Sequence, residues 1–383
     1  MTQFVVTVAY VLTMLPLAVL VAAGTCPDTS SSSSSSSSSP AEWCADDGST
    51  RPTDGSFYLP NGSVCELASE VRVGDHLTIH GHINAGLVAE RPDDPYEAYP
   101  LIRKKDGQRT AAFSGWRLFR IPSSKVLHLL YLRLQGGKAR THSGVYFGID
   151  NAKGGSIFVE GTLHAEHVMF FRATEGAVRG ASLAGYGSAS CMDLLEVTVT
   201  GNSARQGIFH LTSEGGGIYL ERSATVFAQR STIHSNTAGD FGGGVSLDTS
   251  ASGSPGSSST FIAHQVDFSN NSAGSGGGLY SHGATNSSIY GYKSGGMFVL
   301  DGRTSFSQNT IVGGTGAQVL IQNARGDAAQ GKPGLTYSTC QPGRSPSAAW
   351  SQDYPPGVAT PANLSIEEGF VGCTVMCGKF HGS

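Results

Sequence analysis

The sequence predicts an all-β fold in which short strands wind into the coils of a solenoid, because two markers recur in step along the chain. The first marker is an apolar residue, two spacers, an Asn, a small hydroxyl residue and a small or apolar one, and it occurs at 199–204, 233–238, 268–273 and 306–311. Its asparagines are 34, 35 and 38 residues apart. The second marker is a run of three glycines that comes six and five residues after Asn236 and Asn271. Periods of this length are typical of repeat proteins whose units stack on their neighbours.

Short β-favouring runs lie between the markers and are the predicted strands. They are separated by Gly, Ser, Asn and Asp turns, and no part of the repeat region has an apolar period of 3.6 over about ten residues, which argues against βαβ units. The runs are 218–220, 225–227, 245–247, 261–262, 297–300 and 319–321. A unit of about 34 residues with roughly three short strands cannot bury its apolar face alone, so successive units are expected to stack.

Each position of the motif has a structural role in such a stack. The apolar residue three before each Asn is expected to point into the coil, with a small Ala filling the narrow corner beside it. Asn side chains of successive coils can hydrogen-bond amide to amide at the strand spacing of about 4.8 Å. This predicts a structural ladder of Asn202, Asn236, Asn271 and Asn309. The glycines supply turns with positive φ and allow neighbouring backbones to approach closely.

Strand signals continue upstream of the motif, with less regularity, from about residue 115. Residues 71–83 alternate between apolar and polar, which predicts a strand that caps the open end of the stack. Residues 84–112 are mostly polar and look like an excursion, in which Asp94 to Glu97 predicts a proline turn. The chain therefore divides into a signal peptide at 1–24, a Ser-rich linker at 25–45, an N-terminal cap and loop excursion at 46–114, the solenoid at 115–325 and a tail containing Cys, Pro and Gly at 326–383.

The N-terminal segment predicts secretion. Phe4 to Val21 is almost wholly apolar and precedes Ala22-Ala23-Gly24, the small residues that a signal peptidase needs. The segment has no Lys or Arg before its apolar part, and about 18 apolar residues are just enough to span a bilayer, so an uncleaved membrane anchor is the alternative. The ten serines Ser30 to Ser39 then predict a flexible spacer.

Seven cysteines and four glycosylation sequons fit an oxidising, extracellular compartment. The odd number leaves one cysteine free, lost with processing or paired to another chain. In the tail, Cys340, Cys373 and Cys377 are disulfide candidates, because a disulfide is favoured over a metal site in a secreted chain. The sequons predict glycosylation at Asn61, Asn270, Asn286 and Asn363.

The alternation of Phe268-x-x-Asn271-x-Ala273 with Gly276-Gly-Gly-Leu279 resembles the repeats of chlamydial polymorphic outer membrane proteins. Those proteins belong to the wider right-handed parallel β-helix, or pectin-lyase-like, group. The resemblance is good over about 199–321 and looser over 115–198, and it implies right-handed coils of three parallel strands. In the tail, Cys340-Gln-Pro-Gly with Cys373-Thr-Val-Met-Cys377-Gly is similar to the start of an ephrin-receptor-like cysteine-rich module.

The solenoid lacks the residue sets of the polysaccharide-cleaving enzymes that resemble this fold. Glycoside hydrolysis needs two carboxylates at a fixed separation, and lyases need acidic calcium ligands and a base. The acids of the repeat region fall singly, in different frames of the repeat. Acids and bases gather best in one coil, which gives weak catalytic candidates at Glu160, His164, Glu166, His167 and Arg172.

Two further groups of side chains are weaker candidates. His80 and His82 lie on the polar face of the alternating segment and could bind a metal with one further ligand, although a solvated strand face is the favoured interpretation. Four tyrosines could line a sugar-stacking face, although ordinary strand positions are favoured for them. They are Tyr219, Tyr280, Tyr290 and Tyr292.

The composition limits the classes of binding partner. A formal net charge of -4 and a charged fraction of 14% predict no nucleic-acid partner, and no cofactor is expected. The sequence favours a secreted or cell-surface β-helix protein that binds a polysaccharide, or a matrix or surface protein, without catalysing a reaction. A membrane partner is predicted only if the N-terminal segment stays uncleaved. The alternative is a polysaccharide lyase or glycoside hydrolase of the pectin-lyase-like fold.

Overall fold

The computed structural model describes much of the region from residue 51 to residue 322 and a few residues on either side. The described residues are 26, 43–44, 51–82, 95–105, 117–137, 153–173, 179–204, 213–248, 259–282, 297–300, 304–312, 319–322, 364–366 and 375–376. The expected signal peptide, the serine tract, Cys340, Cys373, Cys377, Asn286 and Asn363 lie outside them.

The described chain consists of short strands and one 3-10 helix, Pro95–Ala98. The first strands are β1 Gly55–Leu59, β2 Val64–Leu67, β3 Val71–Arg72, β4 His76–Gly81, β5 Leu101–Lys104, β6 Phe119–Ile121, β7 Val126–Gln135, β8 Ile157–Val159, β9 Thr162–Phe171, β10 Leu183–Tyr186, β11 Cys191–Leu195, β12 Thr198–Thr200, β13 Ser203–Ala204 and β14 Ile218–Glu221. They are followed by β15 Thr225–Gln229, β16 Thr232–His234, β17 Thr237–Ala238, β18 Val245–Asp248, β19 Thr260–His264, β20 Asp267–Ser269, β21 Ser272–Ala273, β22 Leu279–His282, β23 Met297–Leu300, β24 Ser305–Ser307, β25 Thr310–Ile311, β26 Val319–Gln322, β27 Leu364–Ile366 and β28 Val375–Met376.

The strands stack as parallel neighbours, which confirms the predicted all-β parallel β-helix. One sheet of 15 strands folds into two faces that share the long strands β7 and β9. The first face runs through β1, β4, β7, β9, β11, β15, β19, β23 and β28, and the second face runs through β2, β5, β7, β9, β12, β16, β20 and β24. A third face of nine strands closes the coil, and β13, β17, β21 and β25 form a short extra ladder.

The stack is longer than the expected 115–325. Strands β4 and β5 both pair with β7, so part of the segment expected as cap and excursion belongs to the coils. Four apolar side chains of the predicted 71–83 strand face the core, although they are divided between β3 and β4 and the segment that joins them: Val71, Val73, Leu77 and Ile79. The fifth, Ile83, lies outside the described residues. At the other end, β27 and β28 come from the expected tail and pair with β26 and β23.

Both ends of the expected 25–45 linker are attached to the solenoid. Cys26 is joined to Cys191 by a disulfide, with 5.7 Å between their Cα atoms, and Cys44 is joined to Cys65. Trp43 is fully buried and stacks on Phe119, with the ring centroids 6.2 Å apart. The spacer predicted at Ser30 to Ser39 lies between these anchors in sequence and outside the described residues.

The four motif asparagines form a buried ladder. Asn236 Nδ2 donates to Asn271 Oδ1 at 3.1 Å, and Asn202 Nδ2 donates to Asn236 Oδ1 at 2.9 Å. Each Asn oxygen also accepts the backbone N–H of the residue one coil above, and at the head of the ladder this residue is Ala173, at 2.9 Å. The ladder thus reaches a coil in which the Asn itself is replaced by Ala, which explains why the motif fades upstream.

The third face is buried on both sides. Ile218 and Leu220 of β14 point into the core, yet Tyr219 and Glu221, which point outward, are also at most 2% exposed. The residues that precede the glycine turns lie against this outer side, where Lys153 Nζ is 2.6 Å from Glu221 Oε2. The outward side chains of the third face are therefore buried against other residues of the same chain. No helix in the described part of the chain is long and apolar enough to cross a membrane.

Candidate binding site

A column of left-handed residues marks the corner between the first and second faces. Tyr131, His167, Glu196, Arg230 and Gln265 each occupy this corner in successive coils, with φ between 47° and 56°. Their neighbours pair in register, so the five residues stack directly above one another. Positive φ is uncommon for residues with a side chain, because the Cβ crowds the following carbonyl. We call these five residues the corner column.

The side chains of the first four residues of the corner column contact each other from coil to coil. The ring of Tyr131 stacks on the imidazole of His167, with centroids 4.8 Å apart. His167 Nδ1 lies 3.1 Å from Glu196 Oε2, and Arg230 donates from Nε and Nη2 to Glu196 Oε1, both at 2.7 Å. The carboxylate of Glu196 is therefore fixed from two sides, and it balances the charge of Arg230.

The 3-10 helix Pro95–Ala98 places two tyrosines beside this column. The Tyr96 hydroxyl accepts a hydrogen bond from Thr198 Oγ1 at 3.0 Å and donates to the carbonyl of Glu196 at 3.2 Å. Arg133 Nε donates to the Tyr99 carbonyl at 3.2 Å. The rings of Tyr96 and Tyr99 meet edge to face, with their centroids 5.5 Å apart. These bonds hold the excursion against coils that lie about a hundred residues further along the chain.

A cavity of about 440 Å³ lies between the excursion and the coils. Its lining combines two aromatic rings with hydroxyl, imidazole, carboxylate and guanidinium groups: Tyr96, Tyr99, His167, Glu196, Val197, Thr198, Arg230 and Thr232. Cavities of this size, with apolar walls and a few fixed polar groups, are typical of small-ligand sites. We call it the tyrosine pocket.

The tyrosine pocket is close to electrically neutral. Burial, together with the nearby Tyr96, Tyr131 and Glu196, raises the pKa of Tyr99 to about 12, so its hydroxyl stays protonated at physiological pH. The ion pair of Glu196 with Arg230 cancels the two formal charges of the lining. The pocket thus presents hydrogen-bonding groups and ring faces without a net field.

The five weak catalytic candidates are distributed over different corners of one coil. His167 lies in the tyrosine pocket, and Glu166 Oε1 is 3.9 Å from its Nε2. His164 points outward from β9, where its Nδ1 is 3.6 Å from Asp193 Oδ2. Glu160 is paired with Arg120 at 2.9 Å, at the turn that precedes β9, and Arg172 follows the far end of β9 at a left-handed position.

The two metal candidates lie apart from other suitable ligands. His80 stands between the rings of Tyr58 and Tyr131, with centroids 5.1 and 5.6 Å away, and burial lowers its pKa. His82 follows the end of β4. Within the described ranges, no three His, Cys, Asp or Glu side chains are grouped so that they could hold a metal ion.

Other predicted positions also have definite places. Tyr219 and Tyr280 are fully buried, which rules them out as a sugar-stacking face, and Tyr290 and Tyr292 fall outside the described residues. Of the sequons, Asn270 is exposed at a left-handed turn, whereas both polar atoms of the Asn61 side chain are buried.

The tyrosine pocket itself was missed by the sequence analysis. Tyr96 and Tyr99 lie in a segment that does not repeat, so no periodic marker identifies them. The proline turn predicted at Asp94 to Glu97 was correct in kind, and it is the element that carries Tyr96. A Tyr-x-x-Tyr pair on a short excursion from a solenoid was the available signal.

Comparison with known families gives one match, on the repeat. The model described as the Chlamydia polymorphic membrane protein (Chlamydia_PMP) repeat matches residues 265–282. This stretch begins at Gln265 of the corner column and includes Asn271 and the glycine turn that leads into β22. Residues 265–282 are thus similar to a polymorphic membrane protein repeat. No curated protein and no solved structure matches the chain.

Proposed function

We propose that the protein is a cell-surface β-helix module of the adhesin kind, which binds a polysaccharide or a surface protein at the tyrosine pocket without chemical turnover. The repeat supports this proposal, since the matching family is described as membrane proteins. The apolar N-terminal segment is typical of a chain that leaves the cell. The disulfides fit an oxidising compartment.

The tyrosine pocket is the observation that carries the proposal. Tyr96 supplies rigid aromatic surface, Tyr99 packs against it at 5% exposure, and Thr198 and Thr232 supply hydroxyl groups on neighbouring strands. The threonines stand on stacked coils, the Tyr96 hydroxyl is bonded to one, and Tyr99 is held through its backbone carbonyl. Little conformational entropy is therefore lost when a ligand binds. Aromatic faces combined with fixed polar groups are well suited to ligands that are themselves part apolar and part hydroxylated.

The polar groups of the pocket are arranged for binding more than for proton transfer. Among the described residues of its lining, Glu196 provides the carboxylate, and two partners hold it in place. Both carboxylate oxygens of Glu196 are thus engaged by protein side chains, Oε2 by His167 and Oε1 by Arg230. We infer that this group orients a ligand.

One observation favours the alternative of a glycoside hydrolase. Glu166 and Glu196 flank the two ring nitrogens of His167, at 3.9 and 3.1 Å. Glycoside hydrolysis requires two carboxylates at one bound sugar, and this pair lies beside His167 of the pocket lining. The test of the proposed function therefore has to report products as well as binding.

Retention of the full-length chain on immobilised polysaccharides and extracellular matrix proteins tests the proposal, with the wash analysed for released fragments. We expect retention without products on at least one support, and we expect Tyr96→Ala to abolish it. Tyr58→Ala is the matched control, because Tyr58 is 53% exposed on β1 and lies outside the pocket lining. Equal loss in both variants, or undiminished retention of Tyr96→Ala, would contradict the proposal. Release of fragments would establish the enzyme.

A further inference from the structure

The second face continues beyond the tyrosine pocket as two straight rows of short polar side chains. Their inward neighbours Val199, Ile233 and Phe268 are buried in the core. The outward rows are in register from strand to strand: Thr198, Thr232, Asp267 and Ser305 in one, and Thr200, His234, Ser269 and Ser307 in the other. We call these eight residues the polar rows.

The polar rows begin inside the pocket. Thr198 and Thr232 belong both to the first row and to the pocket lining, so no boundary separates the two. Strands in a sheet are about 4.8 Å apart, so the four strands span about 14 Å along the solenoid axis, and the last two extend the site by about 10 Å beyond Thr232. A ligand held at the pocket can therefore continue along the rows.

The polar rows carry one acidic side chain, Asp267, and its carboxylate is hydrogen-bonded on both oxygens. Both oxygens of Asp267 accept hydrogen bonds from serines, from Ser269 Oγ at 2.8 Å and from Ser305 Oγ at 2.7 Å. Burial lowers the pKa of His234 and favours its neutral form, although the nearby Asp267 opposes this shift. The rows thus present hydroxyl, imidazole and carboxylate groups without the block of one sign that would attract a charged polymer.

We propose that the tyrosine pocket is the end subsite of a groove for an uncharged linear glycan, which lies along the solenoid axis on the polar rows. This inference rests on the proposed function and names its ligand class. A linear glycan repeats its hydroxyl groups at a regular interval, and the coils repeat theirs at the strand spacing. Each further sugar adds contacts without a new loss of overall rotational freedom, so affinity rises with chain length.

A length series tests the inference. Binding of cello-, manno-, xylo- and chito-oligosaccharides, from disaccharide to hexasaccharide, is measured by calorimetry with the full-length chain, and oligogalacturonides serve as the charged comparison. We expect at least one neutral series to bind, with the hexasaccharide at least tenfold tighter than the disaccharide. The double variant Ser269→Val and Ser307→Val should abolish this gain and leave disaccharide binding unchanged.

The control variant is Thr225→Val. Thr225 is half-buried and stands on β15 of the first face. The variant therefore removes a hydroxyl from the solenoid without changing the polar rows. It should bind like the unmodified chain. Disaccharide binding without a length effect, or a preference for oligogalacturonides, would contradict the proposed groove. The proposed binding role of the tyrosine pocket would remain. Retention on a matrix protein alone, with no glycan bound, would overturn this inference and retain the surface-binding role. If no ligand of either kind binds, both proposals fail.

Discussion

Replacement of Asn236 by Ala tests whether the asparagine ladder holds the coils together. The side chain is fully buried and makes four hydrogen bonds. Its Nδ2 donates to the Val199 carbonyl at 2.9 Å and to Asn271 Oδ1 at 3.1 Å, and its Oδ1 accepts from Asn202 Nδ2 at 2.9 Å and Asn202 N at 3.2 Å. At a net contribution of about 1 kcal/mol for each bond, the variant should lose about 4 kcal/mol of its free energy of unfolding.

That loss is large beside the total stability of about 5–15 kcal/mol that is usual for a domain. Urea denaturation followed by circular dichroism measures it as a lower transition midpoint. The matched control is Asn270→Gly, because Asn270 is the exposed neighbour of the ladder residue Asn271 and its φ of 54° suits glycine. A loss below about 1 kcal/mol in Asn236→Ala, similar to the control, would refute the reasoning, since it would show that buried amides in the ladder are replaceable.

Three further changes probe other parts of the structure. Glu221→Gln removes the buried partner of Lys153, 2.6 Å away, and should cost about 3–5 kcal/mol in urea denaturation; an unchanged midpoint would contradict this. Gly242→Ala places a methyl group 2.4 Å from the Val245 carbonyl oxygen at a φ of 62°, so a loss of at least about 1–2 kcal/mol is expected, and wild-type stability would show that the turn yields. Burial lowers the pKa of His80 below its usual 6.5, so its contribution to stability is present above that pH and is lost as the pH falls. The thermal midpoint of His80→Phe should accordingly fall less than that of the unmodified chain between about pH 7 and about pH 5, and equal falls would exclude this group as a cause.

The repeat made the coils predictable because its markers are set by backbone geometry. An Asn that bonds along the stack and a glycine that turns with positive φ are required once in each coil, whatever the coil binds. Short strands such as β14, β18 and β23 were therefore located within one or two residues. The register followed from the same markers, since Asn202, Asn236, Asn271 and Asn309 stand directly above one another.

The burial of the outer side of the third face was not recognised from the sequence. Glu221 and Asp248 each stand six residues after the first Gly of a three-glycine run, and the pairing of β14 with β18 brings them side by side. Tyr219 donates to both carboxylates, at 3.1 and 2.8 Å, and Arg179 Nη1 lies 3.4 Å from Asp248 Oδ2. Acids that appear single in the sequence are thus neighbours in the stack, and burial there makes them part of the packing.

The tyrosine pocket escaped prediction for a different reason. The excursion that carries Tyr96 lies between β4 and β5 in the sequence. Tyr96 itself contacts Glu196 and Thr198 of a later coil. No local rule connects residues about a hundred positions apart. Of the weak catalytic candidates, His167 alone lies in the pocket lining, because its neighbours along β9 point to other sides of the coil.

A crystal structure of the full-length chain, soaked with the tightest oligosaccharide of the length series, tests the central claim most directly. We expect the terminal sugar against Tyr96 and Tyr99, with the following units over Thr232 and Ser269. Ligand bound on another face with the tyrosine pocket empty would contradict the assignment of the site. Cleaved sugar in the tyrosine pocket would contradict the non-enzymatic role.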